Sequence, residues 1–203
     1  MSSVVNSSRR LVLSLTLSAV AASVLALTGC SEPKAAFKGV DITGADYAKE
    51  LNLPDQNGQA RKIKDFSGKL VVVFFGYTQC PDVCPTTMQE LAEVKRLLGA
   101  DGDKLQAVFV TVDPERDTPA LLKDYAAYFH PEMIGAVGSK DEINAIAKAF
   151  KAGYVRQATR PDGSYAVDHS AHTYVIGPNG KLADILPTGT PTDRVVTTIR
   201  KLL

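Results

Sequence analysis

Two periodicities run along the chain. Residues 70–75 read Leu-Val-Val-Val-Phe-Phe without a polar break, and residues 105–112 repeat that character. Continuous apolar runs of this length are strands buried on both faces, as in the middle of a covered sheet. Between them Met88, Leu91, Val94 and Leu98 recur at helical spacing, predicting a helix over 86–98 that Gly99 stops. Upstream, 47–53 and 60–63 flank Gln56-Asn57-Gly58, a hairpin signal because Asn-Gly tolerates positive φ. Downstream, Thr118 caps a helix with Pro119 at its first position, running to Phe129. A short strand at 134–137 follows, then a helix from Ser139 through Phe150 with Glu142 completing a capping box. Segments 153–157 and 165–167 flank a turn at 160–163, and 173–176 and 181–186 flank Gly177-Pro178-Asn179-Gly180. A helix over 192–203 closes the chain. Strands alternating with helices predict an α/β fold, with one sheet covered on both sides.

Composition narrows the class without changing the fold. The chain has 203 residues, 45% hydrophobic and 22% charged, ordinary for one globular domain plus a tail. Its net charge is +1, and no basic stripe interleaves with aromatics, which argues against a nucleic-acid partner. Arg9 and Arg10 are the only charged residues before Cys30, so loss of that segment takes the net charge to about −1.

That segment is itself legible. Arg9-Arg10 precede an acid-free apolar run over 11–27 that ends in Leu27-Thr28-Gly29-Cys30, the layout of a secretory signal. Leu-Thr-Gly-Cys resembles the lipobox of bacterial lipoproteins, in which cleavage leaves the cysteine N-terminal and lipid-modified. An uncleaved transmembrane anchor is the competing reading, but the run is short for a full span. The expected organisation is a signal peptide at 1–29, a lipidated tether at 30–45 and one domain at 46–203. The domain is then extracytoplasmic, on the periplasmic side, held to a membrane by its lipid.

Lipidation of Cys30 leaves Cys80 and Cys84, within Gly76-Tyr77-Thr78-Gln79-Cys80-Pro81-Asp82-Val83-Cys84-Pro85. They follow a buried strand at the start of a helix, where α/β sheets gather ligands and where the helix dipole favours thiolate. Four residues apart on one helix face, their Cβ atoms would lie about 5–6 Å apart. That separation allows either a disulfide or convergence on one metal ion. Structural zinc normally takes four protein ligands, whereas few soft thiolates suit Cu(I). A purely structural disulfide closing so small a loop would stabilise little. A peroxidase reading fails on spacing: Tyr77 and Pro81, not threonines, stand three residues before the cysteines.

Histidine is the expected third ligand, and the candidates are His130, His169 and His172. His130 ends a helix before Pro131, a position explained by the terminal carbonyls. His169 and His172 flank the start of the 173–176 strand and point to opposite faces, so at most one reaches the site. The residues alone do not choose between them. Met88 extends the cysteine face by another turn, but core packing is the expected role for its thioether.

The run from Phe75 to Thr87, Phe-Gly-Tyr-Thr-Gln-Cys-Pro-Asp-Val-Cys-Pro-Thr-Thr, resembles the signature of the Sco/SenC copper-delivery proteins. Weaker matches follow in the same order: Thr43-Gly44-Ala45, Asp65-Phe66-Ser67-Gly68-Lys69, the 112–119 segment Val-Asp-Pro-Glu-Arg-Asp-Thr-Pro, and Asp168-His169-Ser170. The resemblance implies a thioredoxin-like fold, a central mixed sheet flanked by helices with an N-terminal hairpin. It implies copper, Cu(I) or Cu(II), one per chain, bound by Cys80, Cys84 and His169. The implied role is a copper metallochaperone for the dinuclear copper centre of cytochrome c oxidase rather than an enzyme. Its implied partners are the oxidase's copper-bearing subunit and a further copper carrier. The alternative is a thiol–disulfide oxidoreductase working through a Cys80–Cys84 disulfide. The segment Asp113 to Thr118 reads either as a partner-docking rim or as a turn and helix cap.

Overall fold

Burial decides the layering. Every residue of the strands Leu70–Gly76 (β3) and Leu105–Thr111 (β4) is buried, so both faces of the sheet's middle are covered. The computed structural model describes Ile42 and residues 45–203; the signal peptide, Cys30 and most of the expected tether lie outside the described residues.

β3 pairs in parallel with β4, and β4 in parallel with Ile134–Ala136 (β5). On its other side β3 pairs antiparallel with Thr173–Ile176 (β8), which pairs antiparallel with Leu182–Leu186 (β9). The sheet order is therefore β5-β4-β3-β8-β9, a mixed sheet of the thioredoxin-like kind. The helices are Val83–Leu98 (α1), Pro119–Phe129 (α2), Lys140–Phe150 (α3) and Thr192–Leu202 (α4). Met88, Leu91, Val94 and Leu98 form the buried stripe of α1, and Met88 is a core residue as expected. Thr118 accepts a hydrogen bond from the Leu121 amide, and Ser139 with Glu142 forms the expected capping box.

Two hairpins lie outside this sheet. Asn52–Pro54 (β1) and Ala60–Lys62 (β2) form the N-terminal one, with Gly58 at φ +77° in its turn. Asp55 organises that turn: its carboxylate accepts from the amides of Asn57 at 2.8 Å and Gln59 at 3.0 Å and from Arg61 Nε at 2.9 Å. The same residue bridges to Ala136, while Val137 N–H donates to the Pro54 carbonyl, so the hairpin covers the edge strand β5. Burial alone would raise the Asp55 carboxyl, but the two amides and the guanidinium together hold it below its ordinary 3.8. A lowered folded-state value means the unfolded chain binds the proton more tightly, so this stabilisation is present above pH 3.8 and lost as pH falls through the folded value. Asp55→Asn should therefore lower stability at pH 7 by about 1–2 kcal/mol, a difference that fades in denaturation midpoints as pH falls through the folded-state value.

The second hairpin pairs Tyr154–Arg156 (β6) with Val167–His169 (β7), His169 opposite Tyr154. Two expected boundaries shift here. The second strand begins at Val167 rather than Tyr165, whose side chain is engaged elsewhere, and it runs to His169, expected only to flank the start of β8.

Candidate metal centre

Parallel pairing brings the carboxyl ends of β3 and β4 together, with Gly76 opposite Thr111 and Val112 N–H donating to the Gly76 carbonyl at 2.8 Å. Immediately beyond these ends lie the cysteine loop and the 112–118 turn. α1 begins at Val83, three residues earlier than its periodicity predicts. Pro85 fits its first turn, because amides there have no intrahelical partner to lose. Cys84 therefore lies on the helix and Cys80 does not. Cys80 sits in a turn that closes by its amide donating to the Tyr77 carbonyl at 3.2 Å. Two sulfurs on one helix face is thus corrected: one comes from the helix and the other from a loop folded back beside it.

The sulfurs of Cys80 and Cys84 and one ring nitrogen of His169 all lie within 4.8 Å of one another, and both cysteines are free thiols. Among the described residues this is the one His, Cys and carboxylate cluster with metal-binding proximity. Cys84 Sγ is 3.3 Å from His169 Nε2, and His169 Nδ1 is 3.2 Å from the Ser170 carbonyl. A carbonyl only accepts, so Nδ1 carries the proton and Nε2 turns its lone pair toward the sulfur. That is the tautomer a metal-binding imidazole needs. The Phe74 and Tyr77 rings meet the His169 ring edge-on at 5.9 and 6.0 Å between centroids, fixing its plane. His172 is exposed, and His130 caps its helix, its Nδ1 accepting from the Glu132 amide.

Electrostatics departs from expectation. Cys84 is 0% exposed and Cys80 8%. Burial pushes the Cys84 thiol well above its ordinary 9.0; a Tyr77 backbone contact offsets this in part, while Cys80 and Asp117 add to it. Desolvation outweighs the helix dipole here, so Cys84 is a protonated thiol in the metal-free protein. Burial likewise lowers His169 below its ordinary 6.5, opposed by the Ser170 carbonyl and Asp168, so its ring is neutral. The site holds two thiols and a neutral imidazole, a set that binds a soft cation by releasing protons.

Several supporting residues escape a reading from sequence. Gly76 is one: a Cβ there would stand 2.7 Å from Cys84 Sγ and 2.9 Å from Phe109 Cε2. Asp117 is another, fully buried, its carboxylate accepting from Thr78 Oγ1 and Thr111 Oγ1 at 2.6 Å each and from the Thr78 amide at 3.1 Å. Asp113 is also turned inward, accepting from Arg116 Nε and, at 2.8 Å, from the Tyr165 hydroxyl. The 113–118 segment thus works as an internal brace under the cysteine loop.

Comparison with known proteins agrees with this geometry. The family profile described as SCO1/SenC matches residues 40–203. The SCO2-like protein of Rickettsia felis is 35% identical over 159 residues, 78% of each chain. The mitochondrial SCO2 homolog of Mus musculus is 36% identical over 154 residues, 75% of this chain and 60% of that one. Among solved structures, Bradyrhizobium japonicum ScoI with copper bound superposes with a TM-score of 0.69 at 37% identity, covering 76% of this chain and 98% of that one. Yeast Sco1 with copper bound gives 0.69 at 32% identity, covering 75% and 85%. A thioredoxin-like sheet, two cysteines past its central strand and a profile match spanning the whole described domain lead to one assignment: the chain belongs to the SCO1/SenC family.

Proposed function

We propose that this protein is a copper metallochaperone, tethered outside the cytoplasm through a lipid on Cys30, that supplies the dinuclear copper centre of cytochrome c oxidase. The observation that carries the reading is the convergence of Cys80, Cys84 and His169 within 4.8 Å. Two sulfurs and one imidazole suit Cu(I) and fall one ligand short of a structural zinc site. Copper is the cargo here. On binding, each thiol gives up its proton, so the burial that keeps Cys84 protonated is overcome only by the metal's own charge. Cargo affinity should accordingly fall as pH falls. Relatives whose structures hold copper support the choice of metal.

A second reading rests on the proximity of the two thiols. Closing them to a disulfide would release two protons and two electrons to an oxidised exported partner. The thiols serve either role.

Titration of the reduced protein with Cu(I) is expected to saturate at one equivalent. Cys80→Ser and Cys84→Ser should abolish tight binding, and His169→Ala should weaken it by at least the roughly 10–100-fold that loss of a mere supporting partner of a ligand costs. Full copper binding by both serine variants would reject the proposal. In a deletion strain, recovery of oxidase activity on adding copper supports delivery, and recovery on adding reductant alone supports the thiol role.

A further inference from the structure

The hairpin that carries His169 shares no strand pairing with the central sheet; β6 and β7 form a two-stranded sheet of their own. Its seat over the cysteines therefore rests on its short chain links to α3 and β8 and on side chains, and one residue touches the 113–118 turn, the cysteine loop and the hairpin's connecting loop. Arg116 donates from Nε to the Asp113 carboxylate of its own turn. Its Nη1 donates at 3.0 Å to Gln79 Oε1, the residue before Cys80, and at 3.0 Å to the Tyr165 carbonyl, in the hairpin's connecting loop. The guanidinium carbon stands 3.6 Å from the Tyr165 ring centroid and 5.5 Å from that of Tyr77. Tyr77 in turn sets the edge of the His169 ring. Tyr165 is held again from Arg156, whose guanidinium lies 3.9 Å from its centroid, and by its hydroxyl donating to Asp113.

Resting on the copper reading above, we propose that Arg116 is a positioning residue for the metal site. It staples the cysteine loop to the histidine hairpin, holds His169 against the sulfurs and so slows the departure of copper. Planarity matters as much as charge. The fork meets two loops in its plane and stacks on Tyr165 with its face, which a lysine ammonium cannot do.

The test is a double-mutant cycle read by the rate at which a Cu(I) chelator, bathocuproine disulfonate, withdraws copper from the full-length protein. Arg116→Lys should accelerate withdrawal by about tenfold, the effect of losing a supporting contact. Tyr165→Phe, which loses only the hydroxyl, should give a smaller change of the same sign and serves if Arg116→Lys folds poorly. In a His169→Ala background neither change should add to the loss, because the residue acts through the imidazole. Equal acceleration in both backgrounds, or none in either, would overturn the proposal. Failure of the parent protein to hold copper would reject the copper reading instead. The staple is then judged by amide hydrogen exchange without metal. Arg116→Lys should speed exchange in β6 and β7 and leave β3 and β4 unchanged, and unaltered exchange in the hairpin overturns it.

Discussion

Gly76→Ala is expected to lower both stability and copper affinity, although the change adds a single methyl group. The new Cβ would stand 2.7 Å from Cys84 Sγ, 2.9 Å from Phe109 Cε2 and 3.1 Å from Phe74 Cε1. The sulfur ends a side chain with a single heavy-atom torsion, and the other two atoms belong to rigid rings. All three residues are fully buried, so they move only by disturbing the end of β3 or the first turn of α1. Overpacking of this kind costs about 1–3 kcal/mol, or several degrees in melting temperature for a domain of this size. Displacing the sulfur also spoils its convergence with Cys80 and His169, and a loss of roughly 10–100-fold in copper affinity follows. A variant with parental melting temperature and parental Cu(I) affinity would show that the glycine is incidental.

Asp117 is expected to be still more sensitive, and the two obvious substitutions should separate sharply. Asp117→Ala leaves the Thr78 amide and the hydroxyls of Thr78 and Thr111 without their acceptor in a buried site. At about 1–3 kcal/mol per unsatisfied buried group, the loss should reach roughly 3 kcal/mol or more. It falls on the loop that carries Cys80. Asp117→Asn keeps an acceptor for the amide, and a threonine hydroxyl can rotate to accept from the new NH2 group, so about 1 kcal/mol is expected. Burial, partly offset by the threonine hydrogen bonds, raises the Asp117 carboxyl above its ordinary 3.8, so a neutral isostere suits the site. The sign is opposite to that at Asp55. The folded protein holds this proton more tightly than the unfolded chain, so stability declines as pH rises from about 3.8 through the folded value. Asp117→Asn should remove that decline. Urea denaturation of both variants across pH 4–8 checks the pair, and equal losses for Ala and Asn would contradict the account.

Much of the fold is legible because its signals are local. The apolar runs of β3 and β4, the Thr118 and Ser139 caps and the Asn-Gly turn each depend on a few adjacent residues, and each forms where expected. The cysteines were legible for the same reason. What the sequence hides is long-range. Nothing adjacent to Asp117 reveals that it serves Thr78, and nothing near Tyr165 reveals that it leaves its strand to stack on Arg116. The start of α1 at Val83 is masked by Pro81 and Pro85, which read as helix breakers in sequence although Cys84 stands one turn before Met88 on the buried stripe. The thiolate expectation failed for a related reason: a helix terminus is visible in a sequence, but the desolvation that outweighs it at Cys84 comes from β3 and its neighbours packing around the sulfur.

The distance in sequence between Cys84 and His169 has a bearing on the order in which the protein is made. Eighty-five positions separate these two contacting residues, and β8, the partner of β3 in the sheet, comes later still. An emerging chain presents its dithiol well before its imidazole, and contacts of such long sequence separation are slow to close. A chain stalled or clipped before the second hairpin would have two thiols and no histidine arm. Completion of the cluster of Cys80, Cys84 and His169 is thus a late event, one that coincides with closure of the sheet and distinguishes the finished molecule from its unfinished forms.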